Sequence, residues 1–272
     1  MASPIGCLQD ISAHALDILR RVDCIACEDT RHSAILLQHY GITTPLKAYH
    51  SHNETQASAS LVEQLRLGLS IALISDAGTP LLHDPGLVLV QQARLAGVRV
   101  VPIPGPCALI TALCASGLPG EQFIFAGFLP VKSTHRQKEL TRLQHESRTS
   151  IFYEAPHRIL ASLEDMIATL GPLREAVLAR ELTKVYETIL TGTLSELLQQ
   201  LLADPQQQKG EFVILIKGAP IQISDAKAQE ARRVFEVLVQ ELPLKQAASL
   251  TAQLTGVAKN VAYQWGVERG GK

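Results

Sequence analysis

The sequence predicts an α/β protein of two α/β domains followed by a short, wholly helical C-terminal region. Three observations carry this reading. Short runs rich in β-branched residues alternate with longer amphipathic stretches, the pattern of parallel strands joined by helical crossovers. Loops dense in Gly, Pro and small polar residues follow several of these runs, as at the strand ends of open α/β sheets. Beyond Gly218-Ala219-Pro220 the strand-like runs stop and helical patterning continues to the end.

A chain of 272 residues, 46% hydrophobic, can bury a substantial core and exceeds one average domain. The alternation pauses at Leu118-Pro119-Gly120, which sets the expected division at 1–118, 119–219 and 220–272.

The first strand is expected over 22–27. It carries Cys24 and Cys27, and positions three apart on a strand face opposite sides, so this CxxC reads as two core thiols and not as half of a metal site. Five scattered cysteines do not form a disulfide framework either. Strands follow over 71–75 and 98–103. Between them Asp84-Pro85 reads as an N-cap and first-turn proline, opening a helix that stops at Gly97. Further strands are expected over 123–127, 150–153, 175–179 and 211–217. Pro156 opens a helix that closes at Gly171-Pro172, and Thr193 with Glu196 has capping-box spacing ahead of Leu197, Leu198 and Leu201. The tail over 244–267 reads as two helical stretches joined near Gly256. Ala252 stands four residues earlier, a spacing common in helix-turn-helix units. Lys259, Asn260 and Gln264 could then face nucleic acid, with dimer support as the other use of the same helices.

With 25 basic and 26 acidic residues the net charge is −1, which excludes nucleic-acid binding through bulk charge. Any RNA contact must come from a local patch. Lys132, Arg136, Lys138, Arg142 and Arg148, with His135 and His145, form one candidate; Glu139 and Glu146 dilute it, so a solvated helix face is the competing reading. No basic segment leads an apolar core at the N-terminus, and no apolar run is long enough for a bilayer. A cytoplasmic protein without membrane contact is expected.

Four loops have the composition of a ligand site: 75–80 (Ser-Asp-Ala-Gly-Thr-Pro) continuing to His83-Asp84-Pro85-Gly86, 102–108, 125–130 and 153–158. Gly78 and Gly105 permit close ligand approach, prolines fix the loops, and Asp76 adds a carboxylate for a cationic or hydroxyl-bearing ligand. Any one of these loops could be an ordinary βα turn; four in one chain favour a site. No GxGxxG follows a strand, and neither GxxxxGK[ST] nor GxSxG occurs, which removes the dinucleotide, P-loop and esterase readings.

Taken together, Ser3-Pro4-Ile5-Gly6, Cys27-Glu28-Asp29-Thr30-Arg31-His32, the 75–80 loop and Pro104-Gly105-Pro106 resemble the tetrapyrrole-methylase superfamily. The runs Phe125-Ala126-Gly127-Phe128-Leu129-Pro130, Phe152-Tyr153-Glu154-Ala155-Pro156-His157-Arg158 and Ala179-Arg180-Glu181-Leu182-Thr183-Lys184 resemble its branch acting on ribosomal RNA. The resemblance implies a two-domain fold with the cofactor S-adenosyl-L-methionine in the cleft between domains, and a homodimer. It also implies 2′-O-methylation of a cytidine ribose in the decoding region of 16S rRNA, within the small ribosomal subunit. Other small-molecule methylation, of a tetrapyrrole for example, and a non-catalytic subunit-binding protein are the alternatives.

By that resemblance Pro4, Ser75, Asp76, Ala77, Gly78, Gly105, Pro106, Cys107, Ala108, Phe152 and Tyr153 are expected at the cofactor. A ribose hydroxyl benefits from a base. Glu28, Asp29, Glu154, Glu181 and Lys184 are candidates, with Glu28, Glu181 and Lys184 as the catalytic set. Glu28-Asp29 beside Arg31 and His32 could pair acids with phosphate-binding bases or form a salt-bridged helix start. Arg31, His32, Lys132, Arg136, Arg158 and Arg180 are expected at RNA, with Lys184 as a further contact. Two departures stand out. The family delivers the Pro4-Ile5-Gly6 loop from a first strand, for which Met1-Ala2-Ser3 leaves no room, and Cys7 stands where the family has Asn. A sheet lacking an internal strand should lose ladder hydrogen bonds and expose apolar edges.

Overall fold

The Ser12 hydroxyl accepts the Ala15 N–H at 3.1 Å and opens α1 (Ala13–Arg21), which buries Ala15 and Leu19. The computed structural model describes residues 1–220 and 225–270. After α1 come β1 (Cys24–Cys27), α2 (Thr30–His39), β2 (Leu46–Ala48), α3 (Glu54–Arg66) and β3 (Ile71–Leu73). The three strands run parallel in the order β2-β1-β3. β1 is buried throughout and sends Ile25 and Cys27 into one apolar cluster, Cys24 and Ala26 into another. The two thiols therefore face opposite sides, as strand periodicity predicts.

The next helix, α4 (Leu87–Leu95), corrects the expected cap. Its N-cap is Gly86 at φ 140°, and no local side chain caps it. Glu54 Oε1 accepts the N–H groups of Gly86 (2.9 Å) and Val88 (3.4 Å), and the Tyr49 hydroxyl accepts that of Leu89 (3.3 Å). A carboxylate from α3 thus does the work that the sequence assigns to Asp84. Gly86 has no alternative residue in this turn: a Cβ would stand 2.7 Å from Leu81 and 2.8 Å from Leu73.

The strand expected over 98–103 is absent. Pro102 and Pro104 cannot donate to a ladder, Val100 and Val101 are exposed, and only Ile103 reaches the core. Nor does any strand precede Ser3, which makes a lone antiparallel bridge to Gly78, while the Met1 amino group donates to Leu73 O at 2.8 Å.

α5 (Ala108–Ser116) leads to the second sheet. It comprises β4 (Phe123–Phe128), β5 (Thr149–Glu154), β6 (Glu175–Arg180), β7 (Thr188–Thr193) and β8 (Phe212–Ile216) in the order β4-β5-β8-β6-β7. Here the expectation of parallel strands fails. Only β4 and β5 are parallel; β8 runs antiparallel to β5 and β6, and β7 returns antiparallel along β6. β2 and β7 lie outside the strands that the sequence predicts, because short or half-exposed edge segments lack a strong apolar run.

Helices α6 (Ser133–Arg142), α7 (Ile159–Leu170) and α8 (Leu194–Ala203) complete this part. Pro156 opens a short 3-10 turn that runs into α7, which ends at Gly171. The Thr193–Glu196 capping box forms in both directions. α7 and α8 bury Leu163, Met166, Leu197 and Leu201 against one sheet face, and Leu109 and Ala112 of α5 pack on the other.

Residues Met1–Gly218 form one compact unit and a second begins at Ala219. The second holds α9 (Asp225–Glu241), α10 (Leu244–Thr255) and α11 (Lys259–Gly270) around Phe235, Ala247, Ala248, Val257 and Ala262. α10 ends at Gly256 in the left-handed conformation. Lys259, Asn260 and Gln264 are exposed. Among the described residues no helix is long and apolar enough to cross a membrane.

Candidate functional site

The 75–80 loop is stitched to three others by short hydrogen bonds. Ser75 Oγ donates to Gly78 O at 2.9 Å, closing the loop, with Gly78 at φ 75°. Gly78 exchanges backbone hydrogen bonds with Ser3 in both directions, and Thr79 Oγ1 donates to Pro106 O at 3.0 Å. Asp76 Oδ1 accepts the Asp29 N–H at 3.0 Å, tying the loop to the end of β1.

Two adjoining cavities open around this knot, one of 520 Å³ and one of 300 Å³. Ile5, Asp76, Ala77, Lys184 and Glu211 line both. The larger continues over Gly78, His83, Asp84 and Ala108 to Tyr153, Ala179 and Val213 at the second sheet. The smaller lies between Ser3-Pro4, Ser75 and the first turns of α2, including His32.

Most residues expected at the cofactor meet here. Asp76 and Ala77 line both cavities, Gly78, Ala108 and Tyr153 the larger, Pro4 and Ser75 the smaller. Gly105, Pro106 and Cys107 stand behind the wall: Ala2 packs where a Gly105 Cβ would sit, and the Pro106 carbonyl holds Thr79. Phe152 is a correction. Strand alternation turns it away from Tyr153 into the α7–α8 core, where it is 1% exposed.

Of the catalytic candidates, Lys184 Nζ bridges Glu181 (2.9 Å) and Glu211 (3.0 Å), and Glu181 Oε1 also accepts the Glu211 N–H at 2.9 Å. Burial works against the Lys184 charge, but the two carboxylates outweigh it and raise its pKa. Burial likewise works against the Glu181 carboxylate, and its hydrogen bonds overcome this and lower its pKa. The pair is a fixed cation and a fixed anion, and neither is poised as a base. Glu28 borders neither cavity; burial, then Asp76, raises its proton affinity. Asp29 caps α2, accepting the Arg31 N–H at 2.8 Å, and is held at about 2 by the Arg31 guanidinium, so these two residues form the salt-bridged helix start. Glu154 is buried and occupied by Arg158, Ser162 Oγ (2.6 Å) and the Ala155 N–H (2.8 Å).

Three arginines expected at RNA are spent inside the fold. Arg136, 4% exposed, pairs with Asp165 at 2.6 Å and donates to Pro130 O and Val131 O. Arg180, 6% exposed, donates to the carbonyls of Lys209, Tyr186 and Gln206. Arg158 is clamped between Glu154 and Leu129 O. Glu139 and Glu146 pair with Arg142 and Arg148. Arg31 and Lys132 remain exposed, and His32 lines the smaller cavity.

Sequence reasoning places His83 and Asp84 in a candidate ligand loop without giving either a role, and it misses Glu211. Asp84 lines the larger cavity, and its carboxyl is pushed up to about 6 by burial, then by Glu28 and Asp76, with the nearby Ser75 hydroxyl partly offsetting the rise. His83, at φ 73°, sets its ring edge-on to Phe125, Phe128 and Tyr153, in space that a Cβ on Gly127 would occupy. The His83-Asp84-Pro85-Gly86 run carries two signals, the composition of a ligand loop and the pattern of a helix start, and the second assigns Asp84 to a cap.

A family model of tetrapyrrole (corrin/porphyrin) methylases matches residues 2–198, and one of the RsmI C-terminal HTH domain matches 225–270. Ribosomal RNA small subunit methyltransferase I of Haemophilus influenzae is 53% identical over 268 residues, 98% of this chain and 95% of the relative. The protein of the same name from Pseudomonas aeruginosa is 53% identical over 274 residues, covering 100% and 97%. Among solved structures, the methyltransferase CobJ matches with a TM-score of 0.59 at 19% identity, over 79% of this chain and 91% of that one. The cobalt precorrin-4 methyltransferase CbiF matches at 0.56 and 16%, over 80% and 92%. At those identities the likeness speaks for the fold.

Proposed function

Because the chain belongs to the tetrapyrrole methylase family, in its ribosomal RNA small subunit methyltransferase I group, we propose that it methylates the 2′-hydroxyl of a cytidine ribose in the decoding region of 16S rRNA, with S-adenosyl-L-methionine as donor. In this reading it acts on the small ribosomal subunit as a cytoplasmic homodimer, and 1–118 and 119–219 are the two lobes around the cofactor.

The observation that carries the proposal is the pair of cavities with a common wall at Asp76-Ala77 and Lys184-Glu211. A group transfer needs donor and acceptor to meet at one point, so the ribose must reach into the larger cavity where the methyl group is presented. The larger cavity lies within the roughly 300–1,000 Å³ range of small-molecule sites. Its chemistry suits the donor: Ile5, Ala77, Ala108 and Val213 give apolar walls for an adenosine, and the Asp76 carboxylate suits an ammonium or ribose hydroxyl. When bound, S-adenosyl-L-methionine supplies an electrophilic methyl group on a cationic sulfur.

The chain contributes position and charge. Gly78 lets the backbone approach closely, Tyr153 closes the far wall, and its hydroxyl, pushed up to about 12 by burial, stays neutral. Lys184, its charge already matched by Glu181 and Glu211, keeps one N–H donor at the common wall for a phosphodiester oxygen beside the target ribose. Lys132 supplies an exposed cation farther out, with His32 and the Asp29-paired Arg31 as further donors, and phosphate contacts of this kind fix register without reading sequence. Glu28, behind Asp76, tunes the carboxylates in front of it. The exposed Lys259, Asn260 and Gln264 of α11 are a further RNA surface.

The test is methyl transfer from labelled S-adenosyl-L-methionine to small subunits lacking the modification, followed by mapping of the labelled nucleotide. Label at a cytidine 2′-oxygen is expected; label on an added tetrapyrrole in place of RNA would reject the proposal.

A further inference from the structure

Resting on the methyltransferase reading, we propose that Asp84 is the catalytic residue that takes the proton from the ribose 2′-hydroxyl.

The first support is release from structural duty. An aspartate just ahead of a helix ordinarily caps it, yet α4 is capped from a distance by Glu54 and Tyr49. Leu81 and His83 adopt left-handed conformations uncommon for residues with side chains, at φ 72° and 73°, and Gly86 turns at φ 140°. Backbone strain of this kind gathers at functional sites. The outcome is a loop that sets Asp84 on the cavity wall, off the helix end.

The second support is the fate of the other carboxylates on that wall. Glu154 is held by Arg158, Glu211 by Lys184, and Asp76 by the Asp29 N–H. Asp84 is the one of the four, among the described residues, bound neither to a cation nor to a backbone N–H; the nearby Ser75 hydroxyl donates to Gly78 O and only partly offsets the rise in the Asp84 pKa. A base needs a free lone pair in reach of the substrate and a proton affinity near the working pH. The carboxyl is pushed up to about 6, with Glu28, Asp76 and Tyr153 as the titratable groups facing it. His83, His157 and Lys184 complete the ionisable lining of the cavity.

The step balances. A lone pair of the ribose oxygen forms the new O–C bond, the C–S bond breaks with its electron pair going to sulfur, and the hydroxyl proton passes to Asp84 and then to water.

The experiment compares wild type with Asp84→Asn and Asp84→Glu in the full chain. Carboxyl NMR should show one aspartate titrating near about 6, missing from Asp84→Asn. Rates are compared at saturating S-adenosyl-L-methionine, with its affinity for each variant measured by calorimetry, so that lost donor binding is told apart from lost proton transfer. Single-turnover methylation of small subunits should fall about 10²- to 10⁴-fold in Asp84→Asn and lose its acid limb, with partial recovery in Asp84→Glu. An Asp84→Asn variant that keeps both rate and acid limb while wild type is active overturns this proposal alone. An ordinary carboxyl titration at Asp84 overturns it equally. A wild type that binds the donor but leaves subunits unlabelled overturns the parent reading and this one with it.

Discussion

The Glu181 side chain occupies the space over Gly210: a Cβ there would stand 2.5 Å from Glu181 Cδ and 2.6 Å from its Oε1. Gly210 sits at φ 91° and Glu181 itself at φ 49°, so both sides of this contact are conformationally special. Gly210→Ala must displace the carboxylate that anchors Lys184 at the common wall. We expect a loss of about 1–3 kcal/mol in denaturant unfolding and a fall in methylation rate. Wild-type rate with a shifted Lys184 would remove that lysine from the site.

Glu54 is the second test. Glu54→Ala removes the distant cap of α4 and leaves the buried Tyr49 hydroxyl short of an acceptor. A loss of about 1–2 kcal/mol is expected. Burial works against the Glu54 charge, but the Gly86, Tyr49 and Val88 hydrogen bonds lower its pKa in the fold. Its contribution is therefore present above its unfolded value and lost as pH falls through the folded one. In urea curves the stability difference between wild type and Glu54→Gln should be larger at pH 7 than at pH 3.

Asp84 has the opposite sign. Its carboxyl is raised in the fold to about 6, so its favourable contribution is full below the unfolded value near 4 and lost as pH rises through the folded one. Asp84→Asn should be the more stable protein at pH 8, by about 1–2 kcal/mol after allowing for solvent screening. No such gain should appear at pH 3.5. Matched melting curves at the two values decide it.

Arg136 and Lys132 should part company. Arg136→Ala strands the buried Asp165 carboxylate and should cost about 3–5 kcal/mol, visible as a collapsed melting temperature. Lys132→Ala should leave stability within about 0.5 kcal/mol, weaken subunit binding, and lower the slope of log affinity against log salt by about 1. Equal stability losses would refute the division between buried and exposed cations.

What was legible in the sequence follows from the range over which each feature is determined. The Thr193–Glu196 box, the Gly256 turn and the opposed thiols of β1 are set within a few residues, and all three stand as expected. The loops that line the two cavities were legible as composition, since small residues and prolines are what such turns require. Arg136, Arg158 and Arg180 were not, because a basic letter carries charge but not burial, and their partners lie in other elements. The α4 cap was illegible for the same reason: Glu54 precedes Gly86 by 32 positions. The antiparallel return of β8 between β5 and β6 depends on register across the whole sheet, which no local run encodes.

The cap that Glu54 supplies also sets how this part of the molecule opens. The first turn of α4 cannot fray as an isolated helix end, because its amides are secured by side chains of an element that must itself stay folded. Tyr49, fully buried, fastens the same junction from the end of β2. Gly86, Val88 and Leu89 should therefore share one cooperative unit with α3 and exchange their amide hydrogens on its clock. A destabilising substitution anywhere along α3 then becomes a perturbation of the Asp84 loop, carried by one carboxylate.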